Sequence, residues 1–163
     1  MPRFNRRSNT GVYYVPDVGF LDPTAPTAAE IAAGQPLHDA LAASSGFTSE
    51  DEDLPVPDLG SSWGKTIPGG KTAAASSLTF WSGDDDADLE EVVRAALPEG
   101  DAGYIVWSKR SKVPVADDPV DVFPVRIKST NEQYGVENAG AQFMTGFSLY
   151  EEPDKDVAVA APA

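Results

Sequence analysis

Residues 77–109 of this 163-residue chain read SLTFWSGDDDADLEEVVRAALPEGDAGYIVWSK, and this stretch decides the fold class. Two apolar runs, 78–81 and 103–107, enclose an amphipathic segment. Apolar residues in that segment recur at the i, i+3, i+4, i+7 and i+8 spacing of a single helix face. The chain has no other strong helical pattern, so the sequence predicts a β protein with one helix packed on it. The predicted stripe consists of Leu89, Val92, Val93, Ala96 and Leu97.

The ends of this helix carry their own signals. The acidic cluster Asp84–Asp88 offers an N-cap residue and negative charge for the first turn. Pro98 and Gly100 end the helix. The cluster also begins like a calcium loop, but Leu89 replaces the required glycine and no glutamate follows in register. Helix capping is therefore the preferred interpretation, and no metal site is expected.

Composition excludes several classes of protein. The net charge is −14, from 12 basic and 26 acidic residues, so binding to a phosphate backbone is not expected. The chain has no cysteine and therefore neither disulfides nor thiolate chemistry. No apolar run approaches the ~20 residues that span a membrane. The N-terminal arginines are followed by no apolar segment, so they do not mark a signal peptide.

Strand patterns account for most of the remaining core. Residues 12–15 form a β-branched and aromatic run that Pro16 ends. Residues 120–129 and 141–150 alternate apolar and polar positions, and we expect them to pair as a long antiparallel hairpin. Pro124 suggests an edge or a bulge there. The inward positions are Phe123, Val125, Ile127, Phe143, Thr145, Phe147 and Leu149.

Other segments give weaker signals. Residues 27–34 fit one helical turn, with a capping-box spacing of Thr27 and Glu30 and with Gly34 as the stop. A short strand is expected within residues 41–48. Residues 49–72 are rich in proline, glycine and acidic side chains and show no periodicity. Such a segment is either a mobile surface loop or a long loop or splayed hairpin that orders against a partner.

These patterns give a simple domain organisation. Residues 1–11 are expected to be a basic, flexible N-terminal arm. Residues 12–152 form a single β domain that carries the long loop 49–72. Residues 153–163 are acidic and then rich in alanine and proline, so we expect a disordered C-terminal tail.

Candidate chemistry is sparse. His38 is the sole histidine, and without cysteine or a second histidine it makes no typical zinc site, so it is expected on the surface. Residues 67–72, IPGGKT, lack the spacer of a phosphate-binding loop. No nucleophile-elbow sequence supports a catalytic triad. The sequence therefore predicts neither an enzyme nor a cofactor site.

Three tryptophans remain as candidate binding residues: Trp63, Trp81 and Trp107. Packing in the core or in an interface explains them most simply. A platform for sugar rings is the alternative. A nucleic-acid face is disfavoured, because the strands do not interleave aromatic with basic residues.

The order and spacing of several short segments resemble a known family, the major tail proteins (tail tube proteins) of long-tailed phages, especially phages of actinobacteria. The resemblance covers roughly residues 10–153, and no single segment is specific. The matching segments are VYYVP at 12–16, AEIAAGQPL at 29–37, PDLG at 57–60, IPGG at 67–70, SLTF at 77–80, the acidic helix, LP at 97–98, GYIV at 103–106 and VDVFPV at 120–125.

This resemblance implies a β-sandwich or flattened barrel of antiparallel strands with one helix packed on its outside. It also implies a structural virion protein, assembled in the host cytoplasm, with no catalytic residues. Six copies would form a ring, and rings would stack along a tape-measure protein into the tail tube. A tail terminator and distal tail proteins would close the ends. Genomic DNA would pass through at ejection without specific binding, which an acidic protein favours.

The resemblance also implies that loops and arms lock the subunits together. Arg126 and Lys128 place basic charge on a polar strand face, so that face is not assigned to the channel. The predicted subunit interface comprises Arg3, Arg6, Arg7, Tyr13, Tyr14, Asp53, Leu54, Val56, Trp63 and Ile67.

Two other classes of function stay open at this point. One is a monomeric β-sandwich that binds carbohydrate through Trp63 or Trp81. The other is a different virion component, such as a tail terminator or a head-decoration protein.

Overall fold

The computed structural model describes residues 9–57, 59–60, 62–135 and 140–161. Over these residues the chain forms ten strands, two α-helices and one 3-10 turn, Asp17–Gly19. The strands are β1 (Gly11–Pro16), β2 (Gln35–Pro36), β3 (Leu41–Ser45), β4 (Ser49–Val56), β5 (Lys65–Ala73), β6 (Ser76–Trp81), β7 (Ala102–Ser108), β8 (Pro119–Gln133), β9 (Gln142–Leu149) and β10 (Asp154–Ala158), and the helices are α1 (Ala28–Ala33) and α2 (Leu89–Ala96).

One antiparallel sheet organises the molecule. Its strands follow the order β2-β1-β7-β8-β9-β6-β3, and β10 pairs with the free part of β8. β4 and β5 form a separate two-stranded hairpin. Helix α2 connects β6 to β7, and these two strands are separated in the sheet by β8 and β9. The strand-helix-strand stretch therefore contributes strands to two separate parts of the sheet and connects them through α2.

The sheet curls until its ends approach each other. β2 and β3 lie at opposite ends of the strand order, yet only residues 37–40 connect them. Leu37 N–H donates to Val12 O at 2.8 Å, and Trp81 N–H donates to Ala40 O at 3.0 Å. This connection closes the sheet into a flattened barrel. The predicted class, mainly antiparallel β with a helix packed on it, is confirmed.

The inner face of the curled sheet holds the larger core. Alternate residues of β6, β8 and β9 enter it, as the period of a strand requires. Phe80 and Phe143 stack with their ring centroids 5.2 Å apart. Truncating such a ring to alanine costs about 3–5 kcal/mol in other proteins. Helix α2 adds Val93 and Leu97 to this core.

A second core lies on the outer face of β1, β7 and β8. Val15, Val106 and Val122 point to this side, while their sequence neighbours point inward. Ile31 of α1 and Val159 cover them. These strands are therefore buried on both faces, which explains their nearly continuous apolar sequences.

The predicted hairpin of residues 120–129 and 141–150 is present as β8 and β9. Ile127 lies opposite Phe147, and a register shift follows between Ile127 and Thr130. Pro124 lies where one edge of β8 changes partner, because β10 pairs as far as Val122 and β9 pairs from Val125. At this gap the missing N–H of proline disturbs the ladder least.

Helix α1 confirms the predicted helical turn. The Thr27 side chain accepts a hydrogen bond from Glu30 N–H at 3.3 Å, and Glu30 Oε2 accepts one from Thr27 N–H at 2.8 Å. This reciprocal pair is a capping box. Gly34 ends the helix. The fold thus has a second helix beside the single one that the periodicity predicted.

Helix α2 forms where predicted, but it buries a narrower stripe. Val93 and Leu97 are buried, whereas Leu89 and Val92 stay 40% and 42% exposed. The Asp88 carboxylate does not cap the helix. It accepts hydrogen bonds from the N–H groups of Asp84 and Asp85 instead, and thereby shapes the turn before the helix.

Arg94 fastens α2 to the sheet. Its guanidinium lies 4.3 Å from the centroid of the Phe143 ring and 3.1 Å from Glu91 Oε2. It also pairs with Glu132, at the far end of β8. Helix α2 therefore closes one end of the barrel.

The C-terminal segment contradicts the prediction of a disordered tail. Residues 154–158 form β10 on the edge of β8, and Val159 is buried. Asp156 N–H donates to Asp121 Oδ1 at 2.8 Å, and Ala160 N–H donates to Pro26 O at 2.9 Å. The segment orders because it covers apolar surface that α1 leaves open. At the other terminus β1 begins at Gly11, within the predicted arm.

Candidate functional site

The β4–β5 hairpin is the first candidate surface. At residues 49–72 the structure has a hairpin, which is one of the predicted alternatives, in place of a long loop. The two strands pair from Ser49–Ala73 to Val56–Lys65. In the described part of the chain neither strand pairs with the main sheet. The register shifts after Asp51, where a Cβ on Gly69 would lie 2.5 Å from Glu52 O. Glycine is needed there because the backbones approach closely.

Apolar side chains of the hairpin point into solvent. Leu54 lies opposite Ile67, and these side chains are 48% and 51% exposed. Val56, two residues along β4, is 40% exposed and shares their face. Trp63 in the connecting loop is 76% exposed. A two-stranded hairpin with uncovered apolar residues buries too little surface to be stable alone, which suits a segment that docks on another molecule.

Charge surrounds this apolar patch. Residues 50–53 of β4 are all acidic and exposed, and they include the predicted interface residue Asp53. At the base of the hairpin, Lys71 Nζ lies 2.9 Å from Glu152 Oε1. This pair raises the pKa of Lys71 and lowers the pKa of Glu152. A cleft of about 430 Å³ separates the hairpin base from residues 149–153.

The second candidate surface is the uncovered sheet face, the outer side of β3, β6, β9 and the C-terminal half of β8. Neither described helix packs on it, and most of its residues are small or polar. Among the described residues at these positions there is no carboxylate, although the chain has 26 acidic residues. Arg126 and Lys128 supply its charge, and both are exposed. Its other members are Ala43, Ser45, Ser77, Thr79, Trp81, Asn131, Gln133, Gln142, Met144, Gly146 and Ser148.

Two predicted interface residues belong to the interior instead. Tyr13 and Tyr14 are only 5% and 3% exposed. The Tyr13 hydroxyl donates to Lys112 O at 2.8 Å, and the Tyr14 hydroxyl donates to Ala102 O at 3.4 Å. Burial raises the pKa of Tyr14 to about 12. Because β1 is covered on both faces, the prediction that these residues meet a neighbouring copy is wrong for the folded subunit.

The other residues singled out in the sequence lie in different parts of the molecule. Arg3, Arg6 and Arg7 lie outside the described residues. His38, expected on the surface, has an 11% exposed side chain with Nδ1 3.2 Å from Val12 O. Trp107 packs against Phe47 at the edge of the inner core.

The described ranges contain neither a metal-binding cluster nor a membrane-spanning helix. No group of three or more His, Cys, Asp or Glu side chains is placed to hold a metal ion. No helix there is long and apolar enough to cross a membrane.

With this architecture established, the comparison with protein families is decisive. The family model described as "Phage tail tube protein" matches residues 1–162. The chain belongs to the phage tail tube protein family. It is therefore a structural tail component of a virion, as the resemblance implied. No curated protein matches this sequence.

Solved structures of tail proteins share the fold. The tail tube of SPP1 is 15% identical, with a TM-score of 0.56 over 97% of this chain and 81% of that one. The baseplate of the anti-feeding prophage contains a chain 8% identical, with a TM-score of 0.60 over 94% of this chain and 95% of that one. The tube-terminating cap of the anti-feeding prophage contains a chain 12% identical, with a TM-score of 0.55 over 90% of this chain and 87% of that one. At these identities the likeness concerns the fold alone.

Sequence reasoning missed the uncovered face as a unit. Its signal was the run of small polar residues at outward positions of two strands, such as Ser77 and Thr79 on β6 and Gly146 and Ser148 on β9. The sequence alone does not show that these positions share one surface, because this depends on the pairing of β6 with β9.

Proposed function

We propose that this protein assembles into hexameric rings that stack into a phage tail tube. One domain, residues 12–152 together with β10, forms the wall, and the β4–β5 hairpin reaches into an adjacent subunit. The observation that carries this proposal is the pair Leu54 and Ile67, two large apolar side chains held side by side in solvent. Covering them supplies the hydrophobic driving force for association.

Ring closure is attributed to strand edges. β3 ends the strand order, so in the described structure its outer edge has no partner strand. A neighbouring copy that pairs there continues the sheet around the ring and protects the edge from unlimited pairing. Repeated head to tail, this contact is a closed heterologous interface.

The lumen wall is assigned to the uncovered sheet face. Many of its residues are small, such as Ala43, Ser77 and Gly146, and it is continuous with the edge of β3. From the sequence alone, the basic charge of Arg126 and Lys128 left this face unassigned. In the described structure they are its only charged residues, so each subunit offers an acidic cargo few contacts, and these are salt-dependent. The cargo in this proposal is a tape-measure protein during assembly and genomic DNA during ejection, without specific binding.

The other partners follow from the same proposal. A tail terminator and distal tail proteins cap the two ends of the tube, and assembly takes place in the host cytoplasm. The protein acts by polymerising and has no enzymatic activity. Arg3, Arg6 and Arg7 contribute basic charge that complements an acidic neighbour.

The experiment is to delete residues 50–70 from the full chain. The expected product keeps the circular dichroism of the barrel, because in the described structure the hairpin shares no strand pairing with the main sheet. It remains a monomer in light scattering under conditions in which the parent forms tubes. Normal tubes from the deleted protein would contradict the role given to the hairpin. Glycan binding by a strictly monomeric parent, lost on Trp63→Ala, would favour the carbohydrate-binding alternative instead.

A further inference from the structure

The barrel end away from α2 contains a slot of about 200 Å³, here called the end slot. Its aromatic walls are Phe47, Trp107 and Phe123. The ring centroid of Phe47 lies 5.9 Å from that of Trp107 and 5.3 Å from that of Phe123. The volume is that of one large side chain.

Three buried polar atoms at the end slot have no hydrogen-bond partner among the described residues. In this part of the chain four buried side-chain nitrogen or oxygen atoms make no hydrogen bond, and Trp107 Nε1, Thr10 Oγ1 and Ser108 Oγ are three of them. All three residues line the end slot. An indole N–H can only donate, so it requires an acceptor. Buried polar groups are nearly always paired in native structures, which suggests that the acceptor comes from outside the chain.

The charges at the mouth of the slot restrict that acceptor. Lys109 Nζ lies 2.8 Å from Asp121 Oδ1 and 2.6 Å from Asp156 Oδ1. One cation beside two carboxylates leaves the mouth negative, so an acidic side chain is disfavoured. The occupant that fits is neutral and aromatic, with an oxygen that accepts a hydrogen bond. Among amino-acid side chains, tyrosine has these properties.

Tyr134 is the tyrosine that is free to serve. It follows the last residue of β8, is 95% exposed, and has no hydrogen-bond partner among the described residues. Tyr150 is less exposed, and its hydroxyl is engaged with Tyr104. The exposed Trp63 has an N–H donor but no acceptor.

The slot and Tyr134 lie at opposite ends of the barrel. Asp121 at the slot is near the start of β8, and Tyr134 follows its end, roughly 40 Å away along the strand. A single copy therefore cannot satisfy its own slot. A second copy displaced along the barrel brings its Tyr134 to the slot of the first, and the contact repeats without end.

We propose that Tyr134 of one subunit inserts into the end slot of the next, with its hydroxyl oxygen accepting from Trp107 Nε1. This inference rests on the proposed tube, and it adds a polar, directional contact to the hairpin contact. It also gives the stack a direction, since each subunit presents the slot at one end and the aromatic side chain at the other.

Assembly of full-length variants tests the contact. Tyr134→Ala is expected to raise the concentration required for tube formation at least about 30-fold, the loss typical of a buried interface aromatic. Tyr134→Phe and Trp107→Phe each remove one hydrogen-bonding group and should raise it roughly 2- to 10-fold. Because both act on one bond, the double variant Tyr134→Phe/Trp107→Phe should lose no more than either single variant. Thermal melts of the monomers report whether Trp107→Phe is folded.

Cross-linking gives a second readout, since the chain has no cysteine. Ser44 lines the slot, and a side chain at Gly135 would point into open space. Ser44→Cys/Gly135→Cys should give a ladder of oligomers with a short bismaleimide, whereas the control Ser44→Cys/Glu99→Cys should not. If the wild-type protein forms tubes, Tyr134→Ala assembles normally and no ladder appears, the contact is refuted. The tube proposal would still hold in that case. A wild-type protein that never forms tubes would contradict the tube itself.

Discussion

Leu54 on β4 lies directly opposite Ile67 on β5, and the two side chains, 48% and 51% exposed, form an apolar pair in solvent. Large apolar residues at opposed positions normally face a core in a hairpin. Here β4 also carries a run of four exposed acidic residues, Glu50–Asp53, just before Leu54, and charge of one sign favours solubility. The pair is thus the feature that most directly links the fold to assembly.

Replacing Leu54 and Ile67 with serine should leave the barrel intact and weaken assembly. We expect global stability to change by less than about 0.5 kcal/mol, because neither side chain contributes to a core. The concentration for tube formation should rise at least about tenfold. Light scattering during a concentration series measures it. Thr66→Ser on the opposite face of β5 is the matched control, and equal losses from the control and the double variant would contradict a specific apolar contact.

A heavy-atom label locates the lumen. Lys128→Cys carries a gold cluster on the uncovered sheet face, and the assignment predicts gold density inside the tube in cross-section micrographs. Ala32→Cys on α1, which covers the opposite side of the barrel, should place gold on the outer surface. Gold from the Lys128 position on the outside would refute this assignment of the lumen.

Arg94→Ala tests the closure of the barrel by α2. The substitution removes the cation–π contact with Phe143 and the ion pairs with Glu91 and Glu132. We expect a loss of about 1–2 kcal/mol in the free energy of unfolding, measured by urea titration. Arg94→Lys should lose less, since it keeps the charge but not the planar group. An alanine variant as stable as the parent would show that α2 is held by Val93 and Leu97 alone.

The capping box of α1 gives a stability prediction. Thr27→Ala should cost about 1 kcal/mol, because it removes the acceptor for Glu30 N–H. Thr24→Ala removes a hydroxyl from a turn outside the helix and should cost less. Denaturant titration of both variants provides the comparison, and equal losses would show that the cap has no special role.

Glu30 also sets a pH dependence. Hydrogen bonds from the N–H groups of Thr27 and Leu21 lower the pKa of this carboxyl below its ordinary value of 4.5. A lowered folded-state pKa means that its stabilisation is complete above the unfolded value and is lost as the pH falls through the folded value. Glu30→Gln should therefore be less stable than the parent at pH 7 and approach it in acid. A constant difference across this pH range would contradict the linkage.

The sequence predicts the elements that follow a clear period. Phe123 and Phe147 belong to strands with strict alternation, and both strands and their pairing appear as expected. The helix is predicted for the same reason. The buried stripe of the helix is narrower than predicted, because periodicity does not show which apolar residues are covered. Leu89 and Val92 remain about two-fifths exposed.

What the sequence does not reveal depends on distant contacts. Val159 is buried by residues more than 25 positions away, so its segment resembles an unstructured tail when read alone. Tyr13 and Tyr14 are among the residues that the sequence analysis predicts at a subunit interface. Their burial requires α1 on one face and the inner core on the other. The end slot likewise joins residues from both halves of the chain.

Electron cryomicroscopy of the assembled full-length protein tests the central claim most directly. We expect tubes of constant width built from six-subunit rings, with Leu54 and Ile67 covered by an adjacent subunit and the β3 edge paired. A protein that stays monomeric at high concentration, or tubes in which the hairpin remains in solvent, would contradict it.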